Sequence, residues 1–210
     1  MCIRDRYRII ILQQRDKKKK MAILQIKRYG NEVLRKPCKE VSKISSKIQR
    51  LIQDMLDTMY ANNGVGLAAP QVGENLRIFV IDVSTNKEPL NPIVFINPKI
   101  ISKSGAAIHY EGCLSFPDFY SDVRRYKNVK VKALDKKGKP FVLEAKDGEL
   151  LSFAIQHEFD HLEGILFVDH AVNRFAADIE LEAKGLPCID PEYLLEEKEL
   201  CEELAKEEEK

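Results

Sequence analysis

Tryptophan is absent from this chain of 210 residues, histidine occurs only four times, and no apolar run approaches the roughly eighteen residues that a bilayer span needs. The last of these leaves no candidate for a membrane-spanning helix. A disulfide framework is also missing, because the five cysteines, Cys2, Cys38, Cys113, Cys188 and Cys201, are odd in number and irregularly spaced. Such usage fits reduced thiols in a cytosol-like compartment better than a secreted, cross-linked scaffold. A secretory signal is not expected either. The apolar stretch Ile9 to Leu12 is far too short for one, and no small-residue cleavage site follows it. Net charge is almost nil at +1, and direct DNA binding is not expected.

That balance hides an asymmetry. Residues 1–20 hold eight Lys and Arg against two Asp, while residues 192–210 hold nine Glu against three Lys, so the ends carry about +6 and −6. Neither end has the composition of a packed core. The leader MCIRDRYRIIILQQRDKKKK reads as disordered or non-native, with Met21 as the natural start; its lysine run and two aspartates suit a transit peptide poorly. The expected organisation is a basic leader over 1–20, one folded domain over 21–172 and an acidic, helical extension over 173–210. Within that extension Leu194, Leu195, Leu200, Cys201 and Leu204 recur at roughly helical spacing.

Val33-Leu34 followed by Lys36-Pro37 reads as an extended arm, since proline disfavours helix just before it. Ile44, Ile48, Leu51, Ile52, Met55, Leu56 and Met59 mark a helix, with Ser42 or Ser45 as its N-cap and Asn62-Asn63-Gly64 as its stop. GVGLAAPQVG, Gly64 to Gly73, is a glycine-punctuated loop. Arg77–Val83 and Ile93–Pro98 are apolar, β-branched strands, and Val123–Asp135 alternates as a third, with Lys136-Lys137-Gly138 turning the chain into Phe141–Ala145. From Glu149 the apolar spacing is helical again and runs into His157. This order predicts an α+β fold with helices packed on short antiparallel sheets.

Two of the four histidines fall in QHEFDHLEG, Gln156 to Gly164. Four residues apart on a helix, His157 and His161 share a face and can present both rings to one point. A hydrolytic metal site needs three protein ligands and an open position for water. In the zinc-protease pattern HExxHxxGxxH the third ligand is a histidine six residues after the second. Here Phe167 stands at that place, which excludes the class. His170, Glu180, Glu182 and the upstream Cys113, in EGCLSFP from Glu111 to Pro117, remain as candidates. Ligand chemistry alone favours zinc.

GVGLAAPQVG, EGCLSFP and QHEFDHLEG, in this order and at these intervals, resemble the three signature motifs of the peptide deformylase family, over about Met21 to Asp169. The resemblance makes 21–172 a catalytic domain of α+β fold, its sheets packed around a central helix that carries HExxH. It implies a mononuclear site with Cys113, His157 and His161 as ligands. It also implies Fe²⁺ as the ion, with Zn²⁺, Ni²⁺ or Co²⁺ able to occupy the site. The implied reaction is hydrolysis of N-formylmethionine on nascent polypeptides, giving formate and a free amine. Glu158 would shuttle the proton, and the Gln71 side-chain amide and Leu114 backbone N–H would hold the oxyanion. Gly66 would let the substrate backbone approach closely. Val65, Leu114, Phe153 and Ala154 would line the methionine slot, and Asp160 or Glu163 would orient the histidines. The implied partners are formylated nascent chains and the ribosome near its exit tunnel. The implied location is the cytoplasm, or an organelle if the leader is a transit peptide. Two departures stand out: Phe116 is bulkier than the Val or Ile common there, and the final segment is acidic where some bacterial members are basic.

Overall fold

The computed structural model describes residues 22–84 and 89–193. The basic leader and the acidic segment from Leu194 onward therefore lie outside the described residues. Five strands form one antiparallel sheet in chain order: β1 (Gly66–Ala68), β2 (Ile78–Ile81), β3 (Ile93–Cys113), β4 (Phe116–Leu134) and β5 (Pro140–Ala145). Among the described residues three helices accompany it: α1 (Ser46–Ala61), α2 (Leu150–Glu163) and α3 (Arg174–Ala183).

Helix α1 starts at the second of the two expected caps. Ser45 is extended, and its hydroxyl accepts from the Ile48 N–H at 3.4 Å. Asn62 closes the helix and Asn63, at φ 57°, turns the chain away. Ile48, Ile52, Met55 and Met59 bury its apolar face against Leu67, Ile78 and Val80 of the sheet.

Three expectations need correction. The first concerns the sheet, which is single among the described residues and not made of short strands: β3 and β4 run 21 and 19 residues. The middle of β3, Ile101 to Ser104, is exposed on successive residues. A strand exposed there and paired through its backbone leaves no alternating apolar signature in the sequence. Pro98 is tolerated inside β3 because the register slips between Ile96 and Lys99. At the same kink Asn97, at φ 49°, uses its amide to bond both the N–H and the carbonyl of Val41, at 2.8 and 2.9 Å.

The second concerns Val33 and Leu34, which belong to a 3₁₀ turn, Glu32–Arg35, and not to an extended arm. The Asn31 side chain caps that turn by accepting from the Val33 N–H, so Pro37 constrains only Lys36, which is extended. The third concerns GVGLAAPQVG, which is not all loop. Gly66–Ala68 pairs with β2 and Ala69–Val72 makes a 3₁₀ turn closed by Gly73 at φ 86°.

Helix α2 is buried on almost every side. Ser152 to Glu158, His161 and Leu162 all lie inside. A helix with so much polar side chain in its buried stretch is held largely by pairing those groups, and Gln156 shows how. Its amide accepts from the Tyr126 N–H at 2.9 Å and donates to the Tyr126 carbonyl at 2.8 Å, pinning α2 to β4. Phe116, Phe119 and Phe167 form a separate core cluster with Ala177 and Leu181 of α3. The bulky Phe116 is thus explained by packing: its ring stacks on Tyr29 at 4.4 Å and meets Phe167 edge-on at 4.9 Å.

Candidate metal centre

The site arises where β3 lies along α2. Inward-facing strand residues recur every two positions, about 6.6 Å, and helix residues on one face every four, about 6 Å. The two periods nearly match, so the elements meet in three rungs. His109 stacks on Phe153 with centroids 4.2 Å apart, Glu111 Oε2 lies 2.9 Å from His157 Nδ1, and Cys113 Sγ lies 3.4 Å from His161 Nε2.

Cys113, His157 and His161 bring their ligand atoms within 4.8 Å of one another, the one such trio among the described residues. The other third-ligand candidates are engaged or distant. His170 Nε2 turns to Asp160 at 2.9 Å, and Glu180 pairs with Lys184 on α3 at 3.7 Å. One soft sulfur and two imidazole nitrogens suit a first-row divalent ion. With His157 Nδ1 engaged by Glu111, the opposite ring nitrogen is the one left for that ion.

Neither residue expected to orient the histidines does so directly. Glu163 pairs with Arg77 at 2.7 Å, and Asp160 pairs with Arg125 at 2.5 Å. Glu111 takes that role, itself fixed by Arg125 through two bonds of 2.8 and 3.0 Å. Burial opposes ionisation of Glu111, yet the Arg125 guanidinium and the bonds from His157 and Arg125 hold its carboxyl well below the usual range. Asp160 is likewise held down to about 2, against burial, chiefly by Arg125. Both roles left traces in the sequence. Glu111 lies two residues before Cys113, hence on the same strand face, and Arg125 is a charge at an inward position of an alternating strand.

Glu158 is 4% exposed, and its Oε2 is buried with no hydrogen-bond partner. Burial, the largest influence, pushes its carboxyl up to about 7. Gly66 faces this carboxylate: a Cβ there would collide with Glu158 Oε1, so the bare glycine makes room for the acid. The adjacent Gly64 similarly clears the Leu114 side chain. Gln71 is 1% exposed; its Oε1 accepts from the Ala68 N–H at 2.8 Å. That bond fixes the amide orientation and aims Nε2 at Cys113 Sγ (3.3 Å) and Ser115 Oγ (3.2 Å).

A cavity of about 710 Å³ opens over this cluster, and Gln71, Cys113, His157 and Glu158 all reach its wall. The four residues expected around a methionine slot, Val65, Leu114, Phe153 and Ala154, line it too. The arrangement therefore joins a ligand trio, an acid that titrates near neutrality and a fixed amide donor at one concave surface.

Residues 23–176 match the family model for polypeptide deformylase. The chain is 50% identical over 150 residues to peptide deformylase 1 of Clostridium perfringens, covering 71% of this chain and 99% of that protein. It is 50% identical over 151 residues to peptide deformylase 2 of Vibrio cholerae, covering 71% and 87%. Among solved structures it resembles a peptide deformylase of Synechococcus elongatus in complex with actinonin, with a TM-score of 0.75 and 42% identity over 86% of this chain and 96% of that one.

Proposed function

Since the chain belongs to the polypeptide deformylase family, and is thereby a hydrolase that removes the formyl group from polypeptide N-termini, we propose that the Cys113–His157–His161 cluster and Glu158 carry that reaction on N-formylmethionyl nascent chains. The observation that carries the proposal is Glu158: a buried carboxylate with a free oxygen, poised near pH 7, beside three convergent metal ligands.

Cys113, His157 and His161 would hold one divalent ion, for which Fe²⁺ is our assignment with Zn²⁺, Ni²⁺ or Co²⁺ as substitutes. When bound, such an ion supplies Lewis acidity that makes a water nucleophilic near neutral pH. Glu158 accepts that water's proton on Oε2 and returns it to the leaving amine. A carboxyl near 7 suits both transfers, because neither protonation state is far from reach. The Gln71 amide, held by the Ala68 N–H, donates from Nε2 to the developing oxyanion together with the Leu114 backbone N–H. One such preorganised donor contributes about 3 kcal/mol to the rate. Gly66 leaves space for the acid, and Val65, Phe153 and Ala154 offer an apolar wall for an unbranched side chain. No helix among the described residues is long and apolar enough to cross a membrane, and we assign the enzyme to the cytoplasm, close to ribosomes that supply its substrate.

Formate release tests the reading. Purified enzyme should release formate from formyl-Met-Ala-Ser and leave the internal bonds of Met-Ala-Ser-Pro intact. Cleavage within the second peptide, without formate from the first, would overturn it in favour of a metallopeptidase.

A further inference from the structure

Register in the sheet sets Lys99 of β3 directly opposite Lys132 of β4. Both are exposed, and like charges that face each other across strands cost stability. Lysines on an edge strand guard against stray pairing, but β5 is the edge here and these two lie on the strands inside it. Glu40 meets Lys99 at 3.4 Å, whereas Lys132 has no ion-pair partner among the described residues. Val142 of β5 lies opposite Lys132 on its other side and is 57% exposed. With Leu134, Pro140 and Phe141 it makes the groove around the two lysines, about 570 Å³, largely apolar. The neighbouring chain adds charge of the same sign. Lys39, Lys136, Lys137 and Lys139 are all exposed, while the Asp135 carboxylate is taken up by the N–H groups of Lys137 and Lys139 at 2.8 and 2.9 Å. Such a surface fits a partner in which carboxylates are interspersed with aliphatic side chains.

We propose that this groove is the docking site of the chain's own C-terminal segment, residues 194–210. Its sequence is the complement of the surface: eight Glu against three Lys, interspersed with Leu194, Leu195, Leu200 and Leu204. The segment also starts close by. Tyr193 lies over the Arg35 guanidinium at 4.1 Å, and the chain from Arg35 to Glu40 on the groove wall spans at most about 17 Å. The residues beyond Tyr193 can extend to about 56 Å, so the groove is well within reach. A tethered segment is present at roughly mM effective concentration, so weak pairing is enough to hold it. Helix α3 exposes apolar side chains too, Phe175 and Ile179, but Glu180 and Glu182 stand beside them and repel an acidic segment. Charge therefore selects the lysine-lined groove.

Carbodiimide cross-linking of the full chain, which joins amines to carboxylates already in contact, tests this when the links are mapped by mass spectrometry. In the monomer fraction at low salt, Lys99 and Lys132 should link to the glutamates of 194–210 roughly 3- to 10-fold more often than Lys103 and Lys184, which are exposed outside the groove. That excess should vanish at about 500 mM salt, where exposed charges are screened. Lys132→Glu converts the opposed pair into an attractive one, so the fold should keep its stability. Links from Lys99 and Lys139 to the segment should nevertheless fall to the level of Lys103. Links spread evenly over all exposed lysines, or unchanged at Lys99 in Lys132→Glu, would overturn the docking site. Links confined to a dimer fraction would overturn the intramolecular occupant in favour of a second copy of the chain.

Discussion

Glu158 is held in a state that folding alone would not select. Its unfolded pKa is about 4.3, and burial raises the folded value to about 7. For an acid raised in this way, stability is greatest below the unfolded pKa and declines as pH rises toward and through the folded one. In metal-free protein, Glu158→Gln should therefore raise unfolding stability at pH 8 by on the order of 3 kcal/mol, with a much smaller gain at pH 5. Thermal unfolding of both proteins at the two pH values checks this; an equal gain at both would mean that the acid titrates inside the fold as it does in the unfolded chain. The same substitution should retain the metal while lowering kcat roughly 10²- to 10⁴-fold, because it removes proton transfer and not a ligand. Cys113→Ser should behave oppositely. A neutral hydroxyl replaces a thiolate, so metal content and turnover should fall together. A serine variant with full metal stoichiometry and normal turnover would remove Cys113 from the ligand set.

At the scale of elements, the match between β3 and α2 turns two sequence motifs into one site. Arg125 makes that match possible, since it stands fully buried between Glu111 of the strand and Asp160 of the helix. Arg125→Met would leave both carboxylates buried without their partner, a loss of about 3–5 kcal/mol by the usual cost of breaking a buried ion pair. Denaturant unfolding of the metal-free protein at pH 7 reads it directly, and a change below about 1 kcal/mol would mean the network is solvated. Glu111→Gln is milder in its effect on the fold and should weaken metal affinity about 10- to 100-fold. Helix α1, the start of α2 and the two histidines on one face were legible because each rests on local spacing and end signals. The length of β3 was not, since its middle is exposed on successive residues and paired through its backbone. Nor was the choice of third ligand legible from the residues alone. Cys113 and His161 are 48 positions apart and meet only because strand and helix rise in step. Asp160 and Glu163 looked equivalent in sequence, yet their partners, Arg125 and Arg77, come from different strands' surroundings.

For the whole molecule, the open question of interaction turns on charge at the two ends. Residues up to Tyr193 belong to the packed body: the Ile189 N–H donates to Asp178 at 2.7 Å, and Arg35 lies 4.1 Å over the Tyr193 ring. Beyond Tyr193 the sequence holds eight Glu against three Lys. Set beside ribosomal RNA, such a segment repels phosphate, most strongly at low salt. Deleting 194–210 should therefore leave ribosome affinity unchanged or raise it, and it leaves the Arg35–Tyr193 contact in place. The leader, with eight basic residues in its twenty, is the terminal segment whose charge suits RNA, so starting the chain at Met21 should weaken co-sedimentation and flatten its salt dependence. Co-sedimentation of the full chain and both truncations at 50 and 200 mM salt, about the range over which counterion release is resolved, separates these effects. Loss of binding on removal of the acidic segment alone would show that it docks through protein contacts strong enough to outweigh its charge.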